Sequence, residues 1–328
     1  MSLGLFYQSG YRITACYHAL AQFRKHYPTA PIAFYEDNTD ILRPVADKFG
    51  CVYGRTDKQG YNDANSGRPA FDLETTMAWL NRVREACETT LKDVDWVVHF
   101  EDDVWFKAPL VGQPPFDLSS IGGRSMHENF YKYVGFDGWR GTYGCGGSVF
   151  SRNKFLYAYD IAKQADWRVL VDLFAGGEVT GPYPAPSMWT DAALTAVFML
   201  AKCRVGLWDQ LRQYTHSNIP HMDDRAGWPG TIAELEAEQP AGVNVIHCWK
   251  PYYYPTAEEQ QAVLDALNHQ VQNETHTGLR RRRANLRRRG QSCRIDGVGN
   301  RADNENPRLG DFISRRYGWR RSVAVGCA

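Results

Sequence analysis

At 328 residues the chain can bury a full core, as one large domain or a domain with a sub-domain. Its 43% hydrophobic content is ordinary for a soluble globular protein, and no apolar run is long enough to cross a bilayer. The net charge of +1 hides an asymmetry, because residues 278–328 hold fourteen arginines against four carboxylates and everything before them is therefore net acidic.

The first predicted element is a short apolar strand, Ser2 to Tyr7, followed by the turn Gln8-Ser9-Gly10. Ile13, Tyr17, Leu20, Phe23 and Tyr27 recur at helical spacing, and Pro28 ends that helix. A second strand, Pro31 to Tyr35, runs into the acidic turn Glu36-Asp37-Asn38-Thr39-Asp40. Strand, helix and strand in so short a span make a βαβ unit, whose crossover is expected to be right-handed. A helix from Ile41 to Phe49 and a strand over Cys51-Val52-Tyr53 continue the alternation. A polar, glycine-punctuated loop spans 54–69, and a helix is predicted from Phe71 to Thr90.

The next strand, Asp95 to Phe100, delivers Glu101-Asp102-Asp103 at its far end. Carboxylates this close repel one another and are costly to desolvate together, so a compensating cation is expected. Oxygen ligands suit a hard ion such as Mg²⁺ or Mn²⁺, which can also hold a diphosphate. A solvated acidic turn is the plainer alternative. In open α/β sheets ligands bind beyond the carboxyl ends of the strands, so Tyr7-Gln8-Ser9, Tyr35-Glu36-Asp37 and the acid triplet should share one crevice. Asp37 or Asp102 would accept ribose hydroxyls or a base N–H; an Asx-type turn is the alternative for Glu36 and Asp37. No glycine-rich phosphate loop follows the first strand, which argues against a dinucleotide or P-loop site.

Residues 111–140 read as irregular, and Gly141 to Ser151 sets several glycines before another strand. Gly146 and Gly147 would let the backbone approach a ligand, or merely form a bulge, while Trp139 and Tyr143 would offer rings to a sugar face. Thr190 and Asp191 open a helix with Ala193, Leu194, Val197, Phe198 and Leu200 as apolar positions, and either could be a simple cap. A late apolar strand, Val243 to Ile246, delivers His247, with Trp249 and Lys250 just after it. Thr256 to Glu259 is a capping box for a closing helix, and His216, His221, Asp223 and Asp224 lie in a loop. The arginine runs after Gly278 have too few large aliphatic residues to order themselves. Eight scattered cysteines without a CxxC pair, and no secretory leader, point to a reduced, cytoplasmic setting.

The stretch Ala19 to Pro28, the strand and turn from Ile32 to Asp40, and the triplet Glu101-Asp102-Asp103 resemble the metal-dependent GT-A nucleotide-sugar glycosyltransferases and their DxD signature, here with Glu first. The resemblance covers roughly residues 1–270 as an order of elements. It implies a Rossmann-like, mostly parallel α/β sheet with helices on both faces, a nucleotide-binding half over 1–110, an acceptor half over 111–277 and a basic tail over 278–328. It implies Mn²⁺ or Mg²⁺ on Glu101, Asp103 and His247, and a UDP- or GDP-sugar near Tyr7, Ser9, Glu36, Asp37, Asp102, Gly146, Gly147, Trp249 and Lys250. The expected reaction moves the sugar to a carbohydrate or glycoconjugate hydroxyl. Asp191 would be the base if configuration inverts, the slightly favoured outcome, and would orient the sugar if it is retained. The rival readings are a sugar nucleotidyltransferase, which wants a glycine-rich basic loop after the first strand, and a nucleic-acid-binding protein acting through its arginine tail.

Overall fold

The architecture comes from a computed structural model that describes residues 1–9, 12–37, 40–56, 73–122, 128–175, 190–213, 232–237, 239–247 and 255–268. The chain divides into two compact units, Met1–Pro255 and Thr256–Ala328. In the first unit the elements run β1 (Leu3–Ser9), α1 (Ile13–His26), β2 (Ile32–Asp37), α2 (Arg43–Lys48), β3 (Val52–Thr56), α3 (Leu73–Glu88), β4 (Trp96–Phe100) and β5 (Trp105–Phe106). They continue with β6 (Leu118–Ser120), α4 (Glu128–Val134), β7 (Val149–Ser151), α5 (Arg152–Ala162), α6 (Trp167–Ala175) and α7 (Thr190–Leu200). The last are β8 (Val205–Leu207), β9 (Leu211–Gln213), α8 (Ile232–Ala237) and β10 (Val245–His247). In the second unit a helix, α9, covers 257–268 and begins with the expected capping box: Glu259 N–H donates to Thr256 Oγ1 at 3.2 Å, and Thr256 N–H donates to the Glu259 carboxylate at 2.7 Å. The basic stretch 278–328 and the histidines at 216 and 221 lie outside the described residues.

Seven strands form the main sheet in the order β3-β2-β1-β4-β7-β6-β8. β1, β2, β3 and β4 pair in parallel, as does β6 with β8, while β7 runs antiparallel between β4 and β6. The fold is therefore the expected mixed α/β, mostly parallel sheet. β4 is parallel to β1 on one edge and antiparallel to β7 on the other. Successive side chains on β1 separate the two faces. Tyr7 packs with Phe34 and Phe100, and Phe23 from α1 reaches that same Phe100. Its neighbour Phe6 meets Trp79 of α3 edge-on at 5.6 Å, so α1 and α3 cover opposite faces. A hydrophobic core cluster lies on the α3 side and takes in α5 and α7.

The stretch 111–140, expected to be irregular, contains β6 and α4. β6 is three residues long and carries two serines, too polar and brief for a periodicity signal. Its serines are buried and used internally: Ser120 Oγ accepts from Gly122 N–H, and Ser119 Oγ–H donates to the Phe116 carbonyl. α4 is a helix of seven residues held by buried Phe130, Tyr131 and Val134.

Position of the candidate site follows from a second, smaller sheet, β5-β10-β9. β5 begins two residues after the acid triplet and pairs antiparallel with β10, Ile246 opposite Trp105. One step past that pair lies His247, so the ladder itself carries the imidazole back to the carboxylates.

Candidate active site

Five elements meet beyond the carboxyl ends of the parallel strands. Gln8 and Ser9 come from β1, Asp37 from β2, the acid triplet from the end of β4, His247 from β10 and Asp191 from the first turn of α7. Gln8 Nε2 donates to Asp37 Oδ1 at 2.8 Å, and Ser9 Oγ–H donates to Asp102 Oδ2 at 3.2 Å. Hydrogen bonds thus link the three polar strand ends.

At its centre Glu101, Asp103 and His247 are all buried, and one ligand atom from each lies within 4.8 Å of the other two. His247 Nε2 is 3.1 Å from Glu101 Oε2 and 3.5 Å from Asp103 Oδ1. Burial pushes the Glu101 carboxyl up, but the hydrogen bond with His247 and the charge of His99 outweigh it and hold the group below the ordinary carboxylate range. Two carboxylates and one imidazole converging in a buried cluster are a donor set that fits a hard or borderline divalent cation such as Mn²⁺.

Asp191 stands beside this cluster. Burial first, and then the negative charge of Glu101, push its carboxyl above the ordinary aspartate range; His99, His247 and a hydrogen bond with Cys145 pull the other way. The Cys145 thiol is itself buried, raised well above its usual value by desolvation, and 3.0 Å from Thr142 Oγ1.

Several expected residues have internal duties. The Tyr7 side chain is fully buried between Phe34 and Phe100, so its ring packs the sheet. Glu36 is fully buried and accepts from Leu42 N–H at 3.1 Å and Tyr53 O–H at 2.8 Å, which fastens the β2 turn. Gly146 is buried against Glu101: a Cβ there would lie 2.5 Å from Oε2, so the missing side chain makes room for the carboxylate. Gly147 has φ +87°, a backbone region that favours glycine, and its N–H donates to the His99 carbonyl at 2.7 Å. Tyr143 is buried and donates its hydroxyl proton to the Trp139 carbonyl; Trp139 is the exposed ring of the pair, at 43%. Trp249 and Lys250 lie outside the described residues.

Two site residues escaped the sequence reading. His99 is buried on the strand before the triplet, and its Nε2 is 3.9 Å from Glu101 Oε1. A histidine inside an apolar strand could have drawn attention, since a buried imidazole needs partners. Arg82 on α3 is partly buried; its Nε–H donates to Gln8 Oε1 at 3.2 Å, and Asp37 supports its charge. Nothing in the helical pattern separates Arg82 from Arg84, the other cation of α3.

No protein-family model matches the sequence, and no curated relative does. Among solved structures, the chain is similar to galactosyltransferase LgtC in complex with donor and acceptor sugar analogs, at 15% identity over 74% of this chain and 86% of that one, with a TM-score of 0.41. A structure of an active-site mutant of LgtC is similar at 14% identity over the same shares, with a TM-score of 0.40. At such identity and TM-score the likeness assigns no residue and no activity. Among the described residues no helix is long and apolar enough to cross a membrane.

Proposed function

We propose that the chain is a glycosyltransferase that moves a sugar from a nucleoside-diphosphate donor to an acceptor hydroxyl with a divalent cation in place. The observation that carries this reading is the buried meeting of Glu101, Asp103 and His247 at the carboxyl end of a mostly parallel sheet. These three residues would hold Mn²⁺ or Mg²⁺, which when bound neutralises charge on the departing diphosphate. Ser9, Gln8, Asp37 and Asp102 line the β1–β2 side, where hydroxyls and N–H groups of a nucleoside find acceptors. Arg82 adds a cation at that edge. Lys250, three residues past His247, is the proposed diphosphate partner, with Trp249 beside it.

In the transfer, the acceptor oxygen bonds to the anomeric carbon, the bond from that carbon to the diphosphate oxygen breaks, and the electron pair leaves with the nucleoside diphosphate. Asp191 accepts the acceptor's hydroxyl proton. Its raised proton affinity suits a base, the role that inversion of configuration would require. Binding is tested by thermal shift with UDP- and GDP-sugars, each with and without Mn²⁺. A metal-dependent rise with one donor family supports the reading, and none with any donor overturns it. Product anomeric configuration, read by NMR, decides between inversion and retention.

A further inference from the structure

Thr195 is fully buried on α7, one turn after Asp191. Its hydroxyl is completely used. It accepts the N–H of Tyr143 at 2.8 Å and of Gly144 at 3.0 Å, and donates its own proton to the Asp191 carbonyl at 2.6 Å. Back-donation within a helix is common for threonine; accepting two successive amides from a different segment is not part of helix geometry. Gly144 permits this approach, because a Cβ there would lie 2.7 Å from the Asp191 carbonyl oxygen and 2.8 Å from Leu194 Cβ.

The Gly144 carbonyl, across the Cα from the amide that Thr195 holds, lies 2.6 Å from His99 Nδ1. A carbonyl oxygen only accepts, so Nδ1 carries the proton and the ring's direction is fixed. Trp79 packs edge-on against the same ring at 5.3 Å. Nε2 therefore points to Glu101 Oε1, at 3.9 Å, the oxygen that does not meet His247. A ring N–H held by a main-chain carbonyl fixes which nitrogen the imidazole turns toward its other neighbour.

We infer that Thr195 is a positioning residue: through the Gly144 carbonyl and the His99 ring it sets the orientation of Glu101 relative to Asp191. The inference rests on the metal reading above and extends it to residues that touch neither cation nor substrate. It explains why the helix bearing Asp191 and the strand end bearing Glu101 are joined through a glycine loop.

The test is Mn²⁺ affinity of the full chain, measured by electron paramagnetic resonance, alongside the melting temperature without metal. T195V keeps the shape and removes the hydroxyl; T195S keeps the hydroxyl; H99F keeps a ring against Trp79 without either nitrogen. Mn²⁺ affinity is expected to fall about tenfold in T195V and in H99F and to return to within about twofold of wild type in T195S. The T195V/H99F double variant should bind no more weakly than H99F alone, because both act on one path. A lower melting temperature in T195V with unchanged Mn²⁺ affinity would mean a purely structural role and overturn the inference, as would independent, multiplying losses in the double variant. H99F decides the matter even if T195V does not fold, since unchanged affinity there breaks the path. Wild-type chain that binds no Mn²⁺ would overturn the metal reading and this inference together; wild type that binds, with variants that match it, overturns only the inference.

Discussion

Gly146→Ala is the sharpest probe of the candidate cation site, because it adds one methyl group and no charge. The new Cβ would sit 2.5 Å from Glu101 Oε2, 2.9 Å from Cδ and 3.0 Å from Cγ. Ordinary contact begins near 3.4 Å, so the carboxylate must retreat by about 0.9 Å. On the surface a glutamate would swing aside cheaply. Here it is buried and 3.1 Å from His247 Nε2, so the retreat breaks that contact. Metal ligands tolerate only about 0.2 Å of displacement, so Mn²⁺ affinity should fall at least about tenfold, equivalent to about 1.4 kcal/mol. Overpacking should also cost about 1–3 kcal/mol of stability without metal. Mn²⁺ titration followed by paramagnetic resonance, with urea unfolding of the metal-free protein, separates the two effects. Affinity within about twofold of wild type in a folded G146A protein would refute the claim that Gly146 makes room for a ligating Glu101.

Other outcomes follow from the same geometry. Mn²⁺ at a hundred times its dissociation constant should stabilise the wild type by about 2.7 kcal/mol, a gain that H247A and D103N should lose in a thermal-shift assay. D191N should lower the transfer rate by about 10²- to 10⁴-fold while leaving Mn²⁺ affinity intact, as measured by steady-state kinetics and metal titration. Because the folded carboxyl of Asp191 is raised, the unfolded chain gives up that proton more readily. Asp191 therefore destabilises the metal-free fold once pH rises through its folded value, and D191N should melt higher than wild type there, the gap closing below the ordinary aspartate range. R82Q should weaken donor binding by calorimetry and leave Mn²⁺ binding unchanged, since Arg82 meets Gln8 rather than the metal cluster. W79A, emptying a fully buried indole site beside Phe6 and His99, should cost about 3–5 kcal/mol in chemical denaturation.

The alternation of strand and helix through β4 was legible because each element carries its own period. Ile13 to Tyr27 repeats at helical spacing, and Asp95 to Phe100 is rich in strand formers. The acid triplet was legible for a related reason, as three adjacent carboxylates at a strand end ask for a cation on electrostatic grounds alone. β6 and α4 were not legible, because each is short and is held by contacts with distant segments: Arg204 N–H donates to Asp117 beside β6, and Lys202 Nζ to the Val134 carbonyl at the end of α4. Local propensity has little to say about such elements.

Side-chain direction marks the other boundary. Tyr7, Ser9, Glu36 and Asp37 all stand at strand ends, yet Tyr7 faces the aromatic layer under α1 and Glu36 closes its own turn, while Ser9 and Asp37 face the crevice partners Asp102 and Gln8. A shift of one residue reverses a strand's faces, and only the pairing register decides which residue points where.

By itself, then, the amino-acid order determined the sheet class, the cluster of carboxylates and the apolar strand that ends in His247, since each depends on neighbours in the chain. The meeting of His247 with Glu101 across 146 residues, the Thr195 and Gly144 contact behind His99, and the entry of Arg82 were decided only by tertiary structure. Those are pairings between segments, whose free energy comes from ladder register and buried packing, and no local pattern encodes them.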